Sequence, residues 1–241
     1  LEVGNVQGCI SRKELPVRVN PEVTAEFTAS QTTGCQPLSI DFSNLSANAH
    51  TYLWEFGDSG SSSQENPQHI FQNQNYSTTQ AYTVSLYAES SYMCSDTKTL
   101  EIELNPAVEA LCTLDTAKGC SPFTVNITHA SKGASLFAWT FGDGSDPSND
   151  GGPSLTHTYT NTTGQPLEHE ITLIVESAFG CLDTLTRTII VYPEVEAAFI
   201  FVSEGCHPLT VNFSNTSSTT AHYFSWEFGS EGYSAINNPS Y

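Results

Sequence analysis

The chain has 241 residues, enough for one large domain or two to three domains of sandwich size. Seven Lys and Arg against 26 Asp and Glu give a formal net charge of -19. That charge excludes charge-driven binding to nucleic acid or to an anionic membrane surface, and the 38% hydrophobic content argues against a disordered polyanion.

Residues 1–20 open without a charged-then-apolar leader, so any signal peptide is expected to lie outside them. They carry Gly8-Cys9 and an apolar alternation that ends at Pro21. The same succession, a cysteine followed by an alternating strand and then a proline, returns at Cys94 with Pro106 and at Cys181 with Pro193. The prolines serve as boundaries. They divide the chain into the tail of one repeat (1–20), two complete repeats (21–105 and 106–192) and the first half of a further one (193–241), as part of a longer array.

Residues 21–105 bring Gly34-Cys35-Gln36-Pro37-Leu38-Ser39-Ile40-Asp41-Phe42. This returns as Gly119-Cys120-Ser121-Pro122-Phe123-Thr124-Val125-Asn126-Ile127 and as Gly205-Cys206-His207-Pro208-Leu209-Thr210-Val211-Asn212-Phe213. The cysteines lie about 85 residues apart, as do Trp54, Trp139 and Trp226. Within a repeat the apolar period is two: Leu38, Ile40 and Phe42 alternate with polar residues, as do Tyr82, Val84 and Leu86, and Ile171, Leu173 and Val175 in the next copy. Gly, Asn, Ser and Pro separate these runs and helix signals are absent, which predicts an immunoglobulin-like sandwich of short antiparallel strands in each repeat. No apolar run approaches the length of a membrane span.

The sharpest local signature is Trp54-Glu55-Phe56-Gly57-Asp58, repeated as Trp139-Thr140-Phe141-Gly142-Asp143-Gly144 and, with Ser230 in place of Asp, as Trp226-Glu227-Phe228-Gly229-Ser230. Trp and Phe two apart share one strand face, Gly permits a tight turn, and Asp can bond the turn amides. Downstream, Asn66-Pro67-Gln68-His69-Ile70-Phe71 is matched by Gly152-Pro153-Ser154-Leu155-Thr156-His157-Thr158-Tyr159, and Asn238-Pro239-Ser240-Tyr241 begins the same element.

These residues resemble the PKD domain, whose hallmark is Trp-x-Phe-Gly-Asp-Gly followed by Asn-Pro-x-His-x-Tyr. The resemblance implies an all-β fold of tandem immunoglobulin-like (PKD) β-sandwich repeats in an elongated array. It implies structural, non-catalytic roles for Trp54, Phe56, Gly57, Asp58, Trp139, Phe141, Gly142, Asp143, Trp226, Phe228 and Gly229. The Gly-Cys-x-Pro and Gly-Cys-x-Asp-Thr cysteines look like those of giant surface proteins of gliding bacteria, the SprB-like adhesins exported by type IX secretion. The chain is then expected at the cell surface, attached to the outer membrane through other parts of its parent. Its partners would be neighbouring repeats and a surface, protein or glycan ligand that the sequence does not identify, with no nucleic acid and no direct membrane contact. Cofactors are expected to be absent.

Rival readings of the motif residues weigh less. Asp143, Asp146 and Asp150 lie in an oxygen-rich loop and are weak Ca²⁺ candidates, but the EF-hand spacing is missing and Ser230 breaks the pattern. His69 and His157 recur without a matched nucleophile, so a packed histidine bonded to the nearby turn is expected. His50, His129, His169, His207 and His222 show no metal spacing.

Seven cysteines at regular places point to disulfides and an oxidising location. The simplest pairing, Cys35–Cys94 and Cys120–Cys181, stays within each repeat. In an immunoglobulin-like topology, however, those positions fall near opposite ends of the sandwich, roughly 20 Å apart, whereas bridged Cα atoms lie about 4.4–6.8 Å apart. The staggered alternative, Cys35–Cys181, joins one repeat to the next and is favoured; Cys9 and Cys206 would then pair in further repeats. Cys112 reads as an apolar filler in the place of Phe27 and Phe199. Asn44, Asn75, Asn126, Asn161, Asn212 and Asn215 lie in Asn-x-Ser/Thr sequons, and Asp115-Thr116-Ala117 and Asp183-Thr184-Leu185 resemble O-glycosylation sites of the gliding-bacterium group.

The favoured function is a structural stalk segment of a secreted adhesin, serving gliding motility or surface attachment. The alternative is a carbohydrate- or protein-binding accessory module of a secreted hydrolase, with Tyr52, Tyr76, Tyr87, Tyr92 and Phe179 as candidate contact rings. An animal mechanosensory ectodomain of polycystin type fits the paired cysteines less well.

Overall fold

A computed structural model describes all residues, 1–241. The chain forms two compact units, Leu1–Pro106 and Ala107–Tyr241, and every regular element in it is a strand.

The first unit opens with a short hairpin, β1 (Glu2–Gly4) and β2 (Ile10–Arg12), followed by an exposed segment to Asn20 that includes Lys13 and Arg18. Its sandwich comprises β3 (Phe27–Ala29), β4 (Thr33–Gly34), β5 (Leu38–Asn44), β6 (Thr51–Glu55), β7 (Ser61–Ser62), β8 (Gln68–Phe71), β9 (Gln80–Glu89) and β10 (Ser95–Leu104). One sheet runs β3-β5-β8 and the other β4-β10-β9-β6-β7. The alternating pattern decides which side chains enter the space between them. On β5, Leu38, Ile40 and Phe42 are buried while Ser39, Asp41 and Ser43 are exposed. Val84 and Leu86 of β9 and Ile102 and Leu104 of β10 close the core from the other sheet around Trp54.

The second unit repeats this plan with β11 (Cys112–Leu114), β12 (Lys118–Cys120), β13 (Phe123–His129), β14 (Leu136–Thr140), β15 (Ser154–Tyr159), β16 (Leu167–Glu176) and β17 (Leu182–Tyr192). Sheets β11-β13-β15 and β12-β17-β16-β14 enclose Val125, Ile127, Trp139, Ile171, Leu173, Val175, Ile189 and Val191. Four short strands follow: β18 (Phe199–Phe201) pairs with β19 (Phe213–Asn215), and β20 (Trp226–Glu227) with β21 (Tyr233–Ser234).

The long hairpins β9–β10 and β16–β17 turn through left-handed residues, Met93 (φ 60) in one and Gly180 (φ 77) in the other. Behind each turn an aspartate reaches across to the first segment of its own sandwich. Asp96 Oδ2 accepts from Ala25 N at 2.8 Å, and Asp183 Oδ2 from Ala110 N at 2.8 Å.

Candidate functional site

β6 ends in the aromatic signature, and the period of the strand sends Trp54 and, two residues on, Phe56 into the core. The indole of Trp54 is fully buried and satisfies its one donor by giving Nε1–H to Gln64 O at 2.9 Å. Gly57 takes φ +81 and lies so close to β9 that a Cβ would sit 2.8 Å from Thr83 O. That close approach, together with the left-handed backbone, is why glycine stands there. Beyond it Asp58 does two things: Oδ1 accepts from Gly60 N at 2.9 Å, and Oδ2 faces His69 Nε2 at 2.6 Å. The His69 ring lies flat on Phe56, with centroids 4.0 Å apart and planes within 5°.

The second unit builds the same assembly. Trp139 Nε1 donates to Asp150 O at 3.0 Å, and His157 stacks on Phe141 at 3.8 Å. His157 Nε2 meets Asp143 Oδ2 at 2.7 Å, and Asp143 Oδ1 accepts from the amide and hydroxyl of Ser145. Gly142 (φ +73) presses on Glu170 as Gly57 does on Thr83. Burial works to raise the Asp143 carboxyl, but the hydrogen bonds from His157 and Ser145 and the charge of His157 outweigh it and bring it down to about 2. Asp58 is shifted the same way: burial opposes, and the His69 and Gly60 hydrogen bonds prevail. Tyr159 donates its hydroxyl to Phe141 O at 3.1 Å, and burial pushes its ionisation up.

An Asp–His pair is the base half of a hydrolytic triad, but here each carboxylate also bonds its own turn. No serine, threonine or cysteine is hydrogen-bonded to either ring. The pair holds the turn after the signature against strand β8 or β15. In residues 193–241 the corresponding place is taken by Tyr241, which stacks on Phe228 at 4.6 Å, with Gly229 and Ser230 beyond it.

The Ca²⁺ candidates are not gathered. Asp143 is engaged as above, Asp150 Oδ1 caps Gly152 N at 2.7 Å, and no group of three or more His, Cys, Asp or Glu side chains converges on a metal-sized site anywhere in the chain. The remaining histidines are dispersed. His129 packs on Phe137 and Trp139, and His169 stacks on Tyr159 with Nδ1 at 3.1 Å from Gly142 O. Among the candidate contact rings Tyr92 and Phe179 are exposed, Tyr87 is slightly so, and Tyr52 packs against the core.

Cys35 and Cys181 are in the disulfide state, whereas Cys9, Cys94, Cys112, Cys120 and Cys206 are free thiols. Cys112 is buried, and burial raises its thiol pKa. Strand register bears on the pairing inside each sandwich. Cys35 follows Gly34, which lies beside Leu104 at the far end of β10, while Cys94 precedes that strand. A ten-residue strand at about 3.3 Å per residue puts the two roughly 33 Å apart, well beyond the 20 Å expected from a shorter strand. Cys120 and Cys181 are separated in the same way along β17, since Cys120 lies beside Tyr192. Neither pair can be bridged.

Two residues central to both sandwiches carry no warning in the motif. Asn73 and Asn161 are buried. Asn73 Nδ2 reaches the carbonyls of Thr78, Leu104 and Asn105, and Asn161 Nδ2 reaches those of Gln165 and Val191. Each lies two residues after a core aromatic, Phe71 or Tyr159, and that recurrence was the available signal. Asn161 also heads a sequon, and its burial removes it as a glycan acceptor in the folded unit. Asn75, Asn126 and Asn212 remain exposed.

Residues 18–104 match the PKD domain family, so a PKD domain lies in the first unit. Among solved structures, the PKD1 domain of Vibrio anguillarum Epp is 22% identical, covering 37% of this chain and all of that one, with a TM-score of 0.31. The PKD1 domain of the Vibrio cholerae metalloprotease PrtV is 24% identical, covering 35% of this chain and 99% of its own, with a TM-score of 0.30. Fibronectin(III)-like modules of Clostridium thermocellum CbhA are 13% identical over 71% of this chain and 94% of theirs, with a TM-score of 0.29. No curated protein sequence matches the chain.

Proposed function

We propose that this chain, which carries a PKD domain over residues 18–104, is a non-catalytic structural segment of a secreted surface protein, a stalk that separates an adhesive part from its anchor. PKD domains are typically extracellular modules of secreted proteins, and no helix of the chain is long and apolar enough to cross a membrane. One observation carries the reading. Both complete sandwiches spend their recurring polar residues on their own turns, with Asp58–His69 and Asp143–His157 locked to amides and rings. No open reactive group is left in the signature.

The same reading includes Cys35–Cys181 as a covalent staple between successive repeats. It is supported by the oxidised state of these two cysteines and by the register that keeps Cys94 and Cys120 out of reach. The finer assignment, a SprB-like gliding adhesin exported by type IX secretion and held at the outer membrane, rests on the resemblance of the cysteine motifs. Peptide mapping without reduction is expected to recover Cys35 joined to Cys181; a Cys35–Cys94 peptide would remove the staple. Pulling single molecules tests the stalk itself. With a thiol reductant present, so that no disulfide holds back the chain, each sandwich should give a discrete unfolding step of roughly 30 nm, the extended length of about 85 residues. Gradual yielding at negligible force would sink the reading.

One observation favours the alternative of a binding module. Tyr92 and Phe179 recur at the tips of the long hairpins with exposed rings, where a sugar could stack. A glycan array on which the folded protein is silent leaves the stalk; specific binding that is lost in Tyr92→Ala or Phe179→Ala establishes the module.

A further inference from the structure

The loop from β14 to β15 carries both Asp-Gly steps of the chain, Asp143-Gly144 and Asp150-Gly151; the sequence has no Asn-Gly step. At such a step the backbone nitrogen of glycine can close on the carboxyl carbon of the aspartate, because no Cβ holds the two apart. The two steps share a dipeptide and differ in what surrounds the carboxyl.

Asp143 is fully engaged. Its Oδ2 faces His157 Nε2 at 2.7 Å, and its Oδ1 accepts from the amide and hydroxyl of Ser145. Ring closure expels the carboxyl hydroxyl as water, so it draws on the protonated acid, and these bonds hold Asp143 as the carboxylate. Its fall from 3.8 to about 2 lowers the protonated fraction at neutral pH about fiftyfold against an ordinary aspartate. Asp146, between the two steps, is followed by Pro147, which has no N–H to react.

Asp150 is exposed, and its carboxyl makes one bond, Oδ1 accepting from Gly152 N at 2.7 Å. That bond curls the carboxyl over the peptide that follows: Oδ1 lies 3.0 Å and Cγ 3.7 Å from where a Cβ on Gly152 would sit. The nucleophile, the Gly151 amide, donates to no acceptor. We propose that Asp150-Gly151 is a site of spontaneous covalent ageing in the folded chain, where a succinimide forms and opens to isoaspartate, while Asp143-Gly144 is held inert.

The step balances with water as its only co-reactant. Gly151 N bonds to Asp150 Cγ, and the amide proton leaves with the carboxyl hydroxyl as water. Water then adds at the former backbone carbonyl carbon of Asp150 and breaks its bond to Gly151 N. That carbon becomes a free carboxylate, and the main chain runs on through Cβ and Cγ, one atom longer.

The place gives the change its effect. Asp150 O is the acceptor for the buried indole of Trp139, at 3.0 Å, and Ser148 and Trp139 exchange backbone hydrogen bonds of 2.7 and 3.0 Å. Isomerisation puts that acceptor on a side branch of a lengthened loop, so the sole donor of the indole loses its fixed partner and the sandwich weakens. In the first sandwich Trp54 is anchored instead by Gln64 O, and Gln64 is followed by Glu65, so its anchor does not age in this way.

Incubating the full chain for weeks at neutral pH and body temperature, in water enriched in heavy oxygen, tests this. Opening of a succinimide leaves one heavy oxygen at the residue that formed it. Digestion in ordinary water and fragmentation are expected to place the label at Asp150, at least about tenfold above Asp143. Methylation by an isoaspartate-specific methyltransferase should rise in step. Asp150→Glu, which would need a six-membered ring, should abolish the label there, and Asp150→Asn, with a better leaving group, should hasten it. Urea unfolding should reveal a less stable fraction that matches the isoaspartate content of the wild type and is absent from Asp150→Glu. No label at Asp150, or equal label at Asp143, overturns the proposal. An isomerised chain that unfolds as the fresh one does overturns the link to Trp139.

Discussion

At the scale of single residues, the Asp–His–Phe stack is the densest piece of chemistry, and it acts as a lock on the turn. Its effect on stability follows from the direction of the carboxylate shifts. The folded-state values of Asp143 and Asp58 lie below their unfolded ones, so the stabilisation is complete above the ordinary carboxylate range. For Asp143 it is lost as pH falls toward about 2. Asp143→Asn is expected to cost about 1–2 kcal/mol at neutral pH and to flatten the decline in stability between pH 4 and pH 2, read by urea unfolding at each pH. An unchanged acid slope would mean that the carboxylate charge plays no part.

This lock could be read from the sequence because Asp and His recur in phase with the tryptophans. The anchors Asn73 and Asn161 were hidden, since an asparagine in a Ser- and Thr-rich chain looks like turn or sequon chemistry. What distinguishes them are carbonyls thirty residues away, such as Leu104 O and Val191 O, that only the closed sandwich brings near. Asn161→Ala strands those acceptors in the core and should cost about 2–3 kcal/mol by chemical denaturation, against near zero for the exposed Asn126→Ala.

At the scale of elements, period two was sufficient. Leu38, Ile40, Phe42, Ile171, Leu173 and Val175 all point inward as their alternation requires. Strand length was not legible: β9, β10 and β16 reach ten residues and β17 eleven, because the polar residues along them alternate onto the wet face without interrupting the ladder. That extra length sets the distance between cysteines at opposite ends of a hairpin. It also carries β16 past Gly142, where backbone meets backbone. Gly142→Ala puts a methyl 2.7 Å from Glu170 O on a left-handed residue, so the β14–β16 pair must part. The expected loss exceeds 2 kcal/mol, larger than for Gly144→Ala, whose Cβ meets nothing. Equal losses at the two glycines would show that backbone conformation alone, not the close approach, is responsible.

At the scale of the whole molecule, the proposed staple has a mechanical signature. With Cys35 and Cys181 joined, the chain between them, about 50 nm when extended at roughly 3.5 Å per residue, is withheld from stretching until the bond is reduced. The contour length measured under force should therefore increase by that amount on adding a thiol reductant, and a contour length indifferent to reductant excludes the staple.

The placement of basic residues along the fold has a consequence for digestion. In the sandwiches Lys98, Lys118 and Arg187 lie inside hydrogen-bonded strands, and Lys132 sits in a bridge pair with Glu109. Arg12, Lys13 and Arg18 alone lie on a fully exposed segment. A trypsin-like protease, which cuts after such residues only where the backbone can leave its ladder, meets no substrate beyond that segment. It should nick off the first 18 residues and leave a resistant body beginning at Val19.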